Sequence, residues 1–376
     1  MADRHIHIIS FDIPFPANYG GVIDVFYKIR ALYESGIKIH LHCFEYHREP
    51  AEELEKLCFR VCYYPRETGF RAFFSQKPYI VSGRRSEELL KNLQNDDYPI
   101  LFEGLHSCYY LNERSLEKRF KIYRESNIEH HYYFHLFKAE KNLWKKLFFL
   151  SESWRLKHFQ KNLRHANLML TVSREDTAYL SRHFPGHSIT FLPSFHREEN
   201  VNSLTGKGSY ILYHGNLSVP ENLIAAEFLI REVMNETMPE LVIAGMSPPK
   251  NLFRLAALNP DVRIVPDPTD EEMFHLIRNA QVNVMVTFQT TGLKLKLLHA
   301  LFNGRFCLVN PPMLAGTDLE KICEVAQDPF SIKKRIKELF EMEFTPEMIH
   351  KRQKLLSGIY SNQKNCKNFL ELLPLF

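Results

Sequence analysis

The sequence predicts an α/β protein built from two Rossmann-like domains, and three observations carry that expectation. Short apolar runs rich in β-branched residues alternate with stretches of helical spacing along the chain, the pattern of parallel strands joined by crossover helices. The rhythm stops once, at His196 to Gly208 (HREENVNSLTGKG), where Gly and polar residues cluster as in a linker, and then restarts. At 376 residues the chain is long enough for two separate cores.

Composition narrows the class. An apolar fraction of 45% with 24% charged residues is that of an ordinary globular protein, and a net charge of +4 makes any basic surface local. The seven cysteines include no C-x-x-C pair, which points to reduced thiols in a cytoplasmic protein rather than to structural zinc. No apolar run reaches about 18 residues, and Met1-Ala-Asp-Arg-His5 lacks the shape of a signal peptide, so the chain is expected neither to be secreted by that route nor to span a membrane.

In order, His5 to Phe11 reads as the first strand. It runs into a loop ending at Gly20-Gly21, ahead of a helix from about Val22 to Ser35. A glycine pair there opens either a phosphate-sized space at a helix N-terminus or an ordinary turn, and G-x-G-x-x-G is absent. Ile37 to Phe44 and Arg60 to Tyr64 are the next strands, with a short helix from Glu52 to Cys58 between them. Pro65 to Arg85 interleaves Arg66, Arg71, Lys77, Arg84 and Arg85 with Phe70, Phe73, Phe74 and Tyr79. That mixture suits an anionic membrane surface or a phosphate-bearing acceptor, or else a surface loop folding its aromatics inward. Pro99 to Glu103 and Phe120 to Arg124 are strands whose polar C-terminal extensions, Glu103-Gly-Leu-His106 and Glu125-Ser-Asn-Ile-Glu-His130, fall where open α/β sheets bind ligands. From Tyr132 to about His165 the spacing is helical, with Leu143, Leu147, Leu150 and Trp154 on one face. Eight Lys or Arg against two Glu lie between Lys138 and Arg164. Such a helix can lie on an anionic bilayer or present a solvated face.

Leu168 to Val172 is the sixth strand, Ser173 to Asp176 opens a helix, and Ile189 to Phe195 reads as a bridging strand. The second domain, about 207 to 345, starts with the strand Tyr210 to His214 and a Gly215-Asn216-Leu217 turn. Ser218-Val-Pro-Glu221 then reads as a capping box. Strands at Glu240 to Ala244 and Val262 to Val265 follow, and Thr269 to Glu272 is a second capping box. Val282 to Val286 is a strand leading through Thr290-Thr291-Gly292 into a helix with Leu293, Leu297 and Leu301 at helical spacing, stopped by Asn303-Gly304. Lys294 and Lys296 stand in its first turn, where unpaired N–H groups and the helix dipole already favour an anion. The alternative is a plain βα unit with solvated lysines. Phe306 to Val309 is the next strand, and 346–376 is a helical segment.

Several of these segments, in this order, resemble landmarks of the GT-B-fold glycosyltransferases, and within them of the retaining family 4 type (glycosyl transferases group 1). The Gly20-Gly21 loop is similar to that family's glycine loop after strand one. Arg124-Glu-Ser-Asn-Ile-Glu-His130 resembles its R-x-H-N-I-E-H segment. His214-Gly-Asn-Leu and Pro266-Asp-Pro-Thr-Asp-Glu-Glu272 match two further landmarks. Thr291-Gly-Leu-Lys-Leu-Lys-Leu-Leu-His299 falls on its E-G-x-G-x-x-x-x-E donor site. The resemblance implies two facing Rossmann-like domains with a ligand in the cleft, and a C-terminal helix crossing back: 1–190 on the acceptor side, 207–345 for nucleotide sugar, 346–376 packing on the first domain.

It also implies a glycosyltransferase moving a sugar from a nucleotide-diphosphate donor to a glycan or lipid-linked acceptor in surface polysaccharide or glycoconjugate synthesis. The alternatives are a catalytically silent subunit of a glycosylation complex and a nucleotide-sugar epimerase. No cofactor beyond the donor is expected. No metal is expected either, since D-x-D is absent, and no nucleic-acid module is evident. Peripheral contact with an anionic membrane is a possible partner surface. Residue by residue, the donor site would comprise Gly20, Gly21, His214, Gly215, Asn216, Asp267, Thr290, Thr291, Gly292, Leu293, Lys294, Lys296 and His299. Ser126, Glu129 and His130 would make the catalytic contacts, with His106 on the acceptor side. The family's two donor-site glutamates fall on Thr291 and His299, its basic pair on Asn216 and Glu221, and the histidine of its R-x-H-N segment on Ser126. Lys294 and Lys296 are expected to replace the basic pair as cations for the diphosphate.

Overall fold

The computed structural model describes residues 4–69, 72, 75–288 and 294–374. The chain divides into two compact units: one comprises Met1–Arg197 and Tyr360–Phe376, the other Glu198–Thr290 and Lys294–Ile359.

The first unit is built on a seven-stranded sheet with every neighbouring pair parallel. Its strands are β1 (His5–Ile9), β2 (Lys38–Glu45), β3 (Arg60–Pro65), β4 (Ile100–Glu103), β5 (Lys121–Glu125), β6 (Leu168–Thr171) and β7 (Ser188–Phe191), in the order β3-β2-β1-β4-β5-β6-β7. The reading of Ile189 to Phe195 as a bridging strand is corrected, because Ser188–Phe191 pairs with β6 and is an edge strand of this sheet. β4, β5 and β6 are buried throughout, as strands covered by helices on both faces must be. The helix after β1 spans Gly20–Glu34 and so takes both glycines into its first turn.

The long helical stretch is two helices, Glu129–Ala139 and Leu143–Phe159. The break has a local cause. The Glu140 carboxylate accepts from the N–H groups of Lys141 and Asn142, and the Asn142 side chain caps the second helix through Trp144 and Lys145.

Beneath the sheet lies a buried charge network. Arg124 on β5 is fully buried and holds the Asp24 carboxylate at 3.2 Å. Lys28, one turn after Asp24, reaches both Asp24 at 3.1 Å and Glu103 at 2.6 Å. Burial opposes ionisation of Asp24, but Arg124 and Lys28 hold its carboxyl down at about 2. Arg124 also donates to the carbonyls of Leu192 (2.6 Å) and Pro193 (3.2 Å), and Asp24 accepts from Phe195 N. One guanidinium thus joins β5, the Gly20–Glu34 helix and the 192–195 segment.

The second unit carries a six-stranded parallel sheet of β8 (Ile211–His214), β9 (Leu241–Gly245), β10 (Val262–Pro266), β11 (Val282–Met285), β12 (Phe306–Val309) and β13 (Glu324–Val325), in the order β10-β9-β8-β11-β12-β13. Thr269 and Glu272 form the expected capping box. The box read at Ser218 to Glu221 is corrected. The helix Pro220–Phe228 is capped by Val219 with no side-chain bond, Ser218 Oγ turns to Asn216 at 2.6 Å, and Glu221 accepts from Thr287 Oγ1 instead. Pro220, lacking an N–H, sits at the helix position where that loss is harmless.

The C-terminal segment is split. Pro346–Ile359 packs on the Leu295–Asn303 helix of the second unit, where Arg352 is buried against the carbonyls of Leu301 (3.1 Å) and Gly304 (2.6 Å). Asn362–Glu371 packs on the Gly20–Glu34 helix, with Cys366 Sγ on Ala31 O.

Candidate functional site

In the first unit, candidate side chains gather at the carboxyl ends of β1, β4 and β5. Gly104, just after β4, adopts φ +70°, a conformation that costs glycine least. A Cβ there would lie 3.3 Å from His106 Nδ1, 3.8 Å from Ser126 Oγ and 3.9 Å from the Phe11 ring. A Cβ on Gly21 would meet Phe11 at 2.6 Å, and the Phe11 and His106 rings are 5.5 Å apart. Gly21, Phe11, Gly104, His106 and Ser126 therefore surround one point. Glu129, at the start of its helix, brings Oε1 to 3.8 Å from His106 Nδ1.

Burial pushes the Glu129 carboxyl up to about 8 against the pull of Arg84, and it pushes His106 well below its ordinary value with Arg84 and Arg66 adding to the effect. At neutral pH a protonated acid stands beside a neutral imidazole, a pair able to donate to and accept from sugar hydroxyls. His130 is separated from them. Its Nε2 is 3.3 Å from Tyr179 OH and its ring lies against His131 and Tyr179. Consecutive helical residues point about 100° apart, so Glu129 and His130 cannot share this space.

A pH prediction follows from Glu129. The carboxyl is held up at about 8 when folded and returns to its ordinary value of 4.5 when unfolded. The native chain thus keeps a proton that the unfolded chain releases, and this contribution to stability falls as pH rises from about 4.5 to about 8. Each pH unit of that window is worth up to about 1.4 kcal/mol. Glu129→Gln is expected to remove the fall, so that the variant loses less melting temperature than the wild type between pH 5 and pH 8. Identical pH dependence in calorimetry would show that Glu129 titrates normally.

In the second unit, a cluster lies at the carboxyl ends of β8, β9 and β10 and the start of the Leu295–Asn303 helix. Lys296, in the first turn, is drawn inward: its ammonium donates to Asn222 Oδ1 at 2.9 Å and sits 5.4 Å from the Tyr213 ring centroid. Burial, partly offset by Glu221, lowers it to about 8. Asn222 is itself fixed by donating to Asn216 O and by accepting from Tyr213 OH at its carbonyl. His214 ends β8 buried, and its Nε2 has no partner among the described residues. Burial, then His299 and Lys296, keep it neutral. The His299 ring meets His214 edge-on at 6.0 Å, and its Nε2 lies 3.6 Å from Glu198 Oε1. Glu198, part of the linker by composition, is thus brought beside the residue on which the sequence resemblance places one of the family's glutamates.

Asn216 spends its side-chain oxygen on Ser218. Gly215 and Gly245 allow β8 and β9 to close together, since a Cβ on Gly245 would fall 1.8 Å from Gly215 O. Asp267, at φ 46°, accepts from Ser247 N at 2.7 Å and so ties together the loops after β9 and β10. Lys294 is the N-cap of the helix. Thr290, Thr291, Gly292 and Leu293 lie outside the described residues. Among the described residues no group of three or more His, Cys, Asp or Glu is arranged to hold a metal ion.

Comparison with known proteins agrees on the fold. No family model matches the chain. It is 24% identical over 321 residues, 80% of its length and 81% of the relative's, to an uncharacterized 44.6 kDa protein in the cps region of Klebsiella pneumoniae. Among solved structures it resembles a variant of TarM from S. aureus in complex with fondaparinux, alpha-GlcNAc-glycerol and UDP, at 11% identity, TM-score 0.66 and 99% coverage of both chains. It also resembles the lipopolysaccharide outer core galactosyltransferase WaaB, at 12% identity and TM-score 0.64, covering 98% of this chain and 100% of that one. With its two parallel-sheet Rossmann-like units, the chain has the GT-B fold of these glycosyltransferases.

Proposed function

We propose that the protein is a glycosyltransferase that moves a sugar from a nucleotide-diphosphate donor to a glycan or lipid-linked acceptor in surface polysaccharide synthesis. One observation carries the reading. In the second unit of a fold shared with a UDP-bound relative, the half-buried Lys296 ammonium stands in a helix's first turn, and near it the His214 Nε2 has no partner among the described residues. A diphosphate supplies the anion that this cation and the N–H groups of the helix start call for. In this reading His299 and Glu198 hold hydroxyls of the nucleoside, and Asn222 orients Lys296. In the first unit, Glu129 and His106 contact the sugar or acceptor, with Ser126 beside them. Retention of configuration rests on the family resemblance, and independence of metal on the absence of D-x-D from the sequence. Fixed cations stabilise the charge that develops on the leaving diphosphate. The relative in a cps region and WaaB's role in lipopolysaccharide support the pathway. The test is release of UDP from UDP-glucose, UDP-galactose or UDP-GlcNAc on addition of a bacterial lipid extract. Acceptor-dependent release is expected with one of them, and release from none of these or from the GDP conjugates would contradict the assignment.

Peripheral membrane attachment belongs to the same proposal. No helix among the described residues is long and apolar enough to cross a membrane. The Leu143–Phe159 helix nevertheless buries Leu156 and Phe159 while exposing Trp144 (82%), Leu143 (67%), Trp154 (63%) and Leu147 (52%). Lys138 and Lys146 lie over Phe134 and Phe137 of the preceding helix. Aromatic and aliphatic groups next to lysines fit an anionic bilayer surface. Replacing Trp144 and Trp154 together with alanine is expected to weaken sedimentation with phosphatidylglycerol vesicles roughly tenfold or more. Unchanged sedimentation would remove this surface from the account.

A further inference from the structure

Arg84 was read from the sequence as part of a surface segment, and the structure buries it. Its side chain reaches the cluster at the end of β1, where Nε donates to Phe11 O at 2.7 Å and Nη1 to Ile80 O. No carboxylate among the described residues pairs with it: the nearby Asp12 spends its two oxygens on Ile13 N and Tyr19 OH. Arg66 is in the same state. Its guanidinium lies over the Tyr46 ring at 4.2 Å, and its buried Nε has no partner. His106 presents a second buried nitrogen without a hydrogen bond, Nδ1, toward the same place. Burial, with Arg66 adding its repulsion and Asp12 only partly opposing, lowers Arg84 to about 9. A buried charge without a partner is costly, and folded chains retain one where a ligand supplies the opposite charge. The surroundings are open enough to admit one, since Phe11, Asp12, Gly20, Gly21, His106 and Ser126 are only half-buried. The first turn of the Gly20–Glu34 helix adds its unpaired N–H groups.

We propose that Arg84, Arg66 and His106 form an oxyanion subsite of the first unit that takes an anionic group carried by the acceptor, a phosphate or a carboxylate. The inference rests on the transfer reading and names the acceptor class for it. Guanidinium groups present paired donors that match either oxyanion, and Glu129, protonated beside them, adds a donor instead of a repelling charge. Neutral glycans lack the group this subsite pairs with, so charge becomes the criterion of selection.

The test is titration of the full chain at low salt with glucose 1-phosphate, glucuronate and glucose, with UDP titrated separately. Binding of glucose 1-phosphate or glucuronate but not of glucose is expected, and whichever binds tells a phosphoryl-linked acceptor from a uronic acid. Arg66→Gln, whose side chain makes no hydrogen bond that folding needs, is expected to weaken that binding roughly tenfold and to leave UDP affinity unchanged. Arg84→Lys is expected to act in the same direction. Binding of neither anion, equal binding of glucose, or unchanged anion affinity in Arg66→Gln would overturn the proposal. So would an equal loss of UDP affinity, which would give the guanidinium groups to the donor diphosphate. A chain that takes the anion but no UDP would keep this subsite while losing the transfer reading.

Discussion

Replacing Arg124 with methionine is expected to destabilise the protein by about 3–5 kcal/mol, the range for breaking a buried ion pair from one side. Methionine keeps much of the volume but leaves the carbonyls of Leu192 and Pro193 without donors and Asp24 with only Lys28 and Phe195 N. Lys28 cannot compensate fully, since its ammonium is shared with Glu103. Against a total stability of about 5–15 kcal/mol for a typical domain, this is a large share. Urea unfolding of wild type and variant checks it, and a loss below about 1 kcal/mol would show that the network adds little. Arg124 opens the segment resembling the family's R-x-H-N-I-E-H, yet its side chain faces the core, so the effect should appear first in stability.

That contrast shows what a sequence makes visible. The parallel strands were readable because burial on both faces leaves apolar β-branched runs, and β1, β4, β6 and β11 fall where those runs lie. Boundaries set by single side chains were less so. Nothing in the spacing reveals that Asn142 restarts a helix, or that Glu221 leaves its cap to accept from Thr287, because a cap and a tertiary contact use the same residue type. Gly21 was visible as part of a glycine pair and Gly104 as part of a strand's polar extension, but their closeness to one phenylalanine was not. Arg84 shows the limit most clearly. In sequence it is one cation among several in a basic-aromatic stretch, and only its burial without a carboxylate sets it apart. Glu198 is the converse, a linker residue by composition that folds back to His299.

Lys296→Ala is expected to cost roughly 10–150-fold in affinity for the donor nucleotide, the equivalent of about 1.5–3 kcal/mol for a hydrogen bond to a charged group. The position suits such an effect, because the ammonium is held by Asn222 and by the Tyr213 ring and needs little ordering when ligand arrives. Its lowered value of about 8 means that a bound anion would raise it again, so nucleotide affinity should weaken as pH rises through that region. The loss should come with little change in melting temperature of the free protein, since removing a half-buried ammonium also removes its desolvation cost. Lys294→Ala, at the helix N-cap, is expected to act in the same direction.

The most direct measurement is calorimetric titration of wild type and Lys296→Ala with UDP, GDP and their sugar conjugates. Saturable binding of one nucleotide by the wild type, weakened at least tenfold in the variant, is the expected result. Equal affinity in both, or no binding of any nucleotide by the wild type, would contradict a donor site built on Lys296.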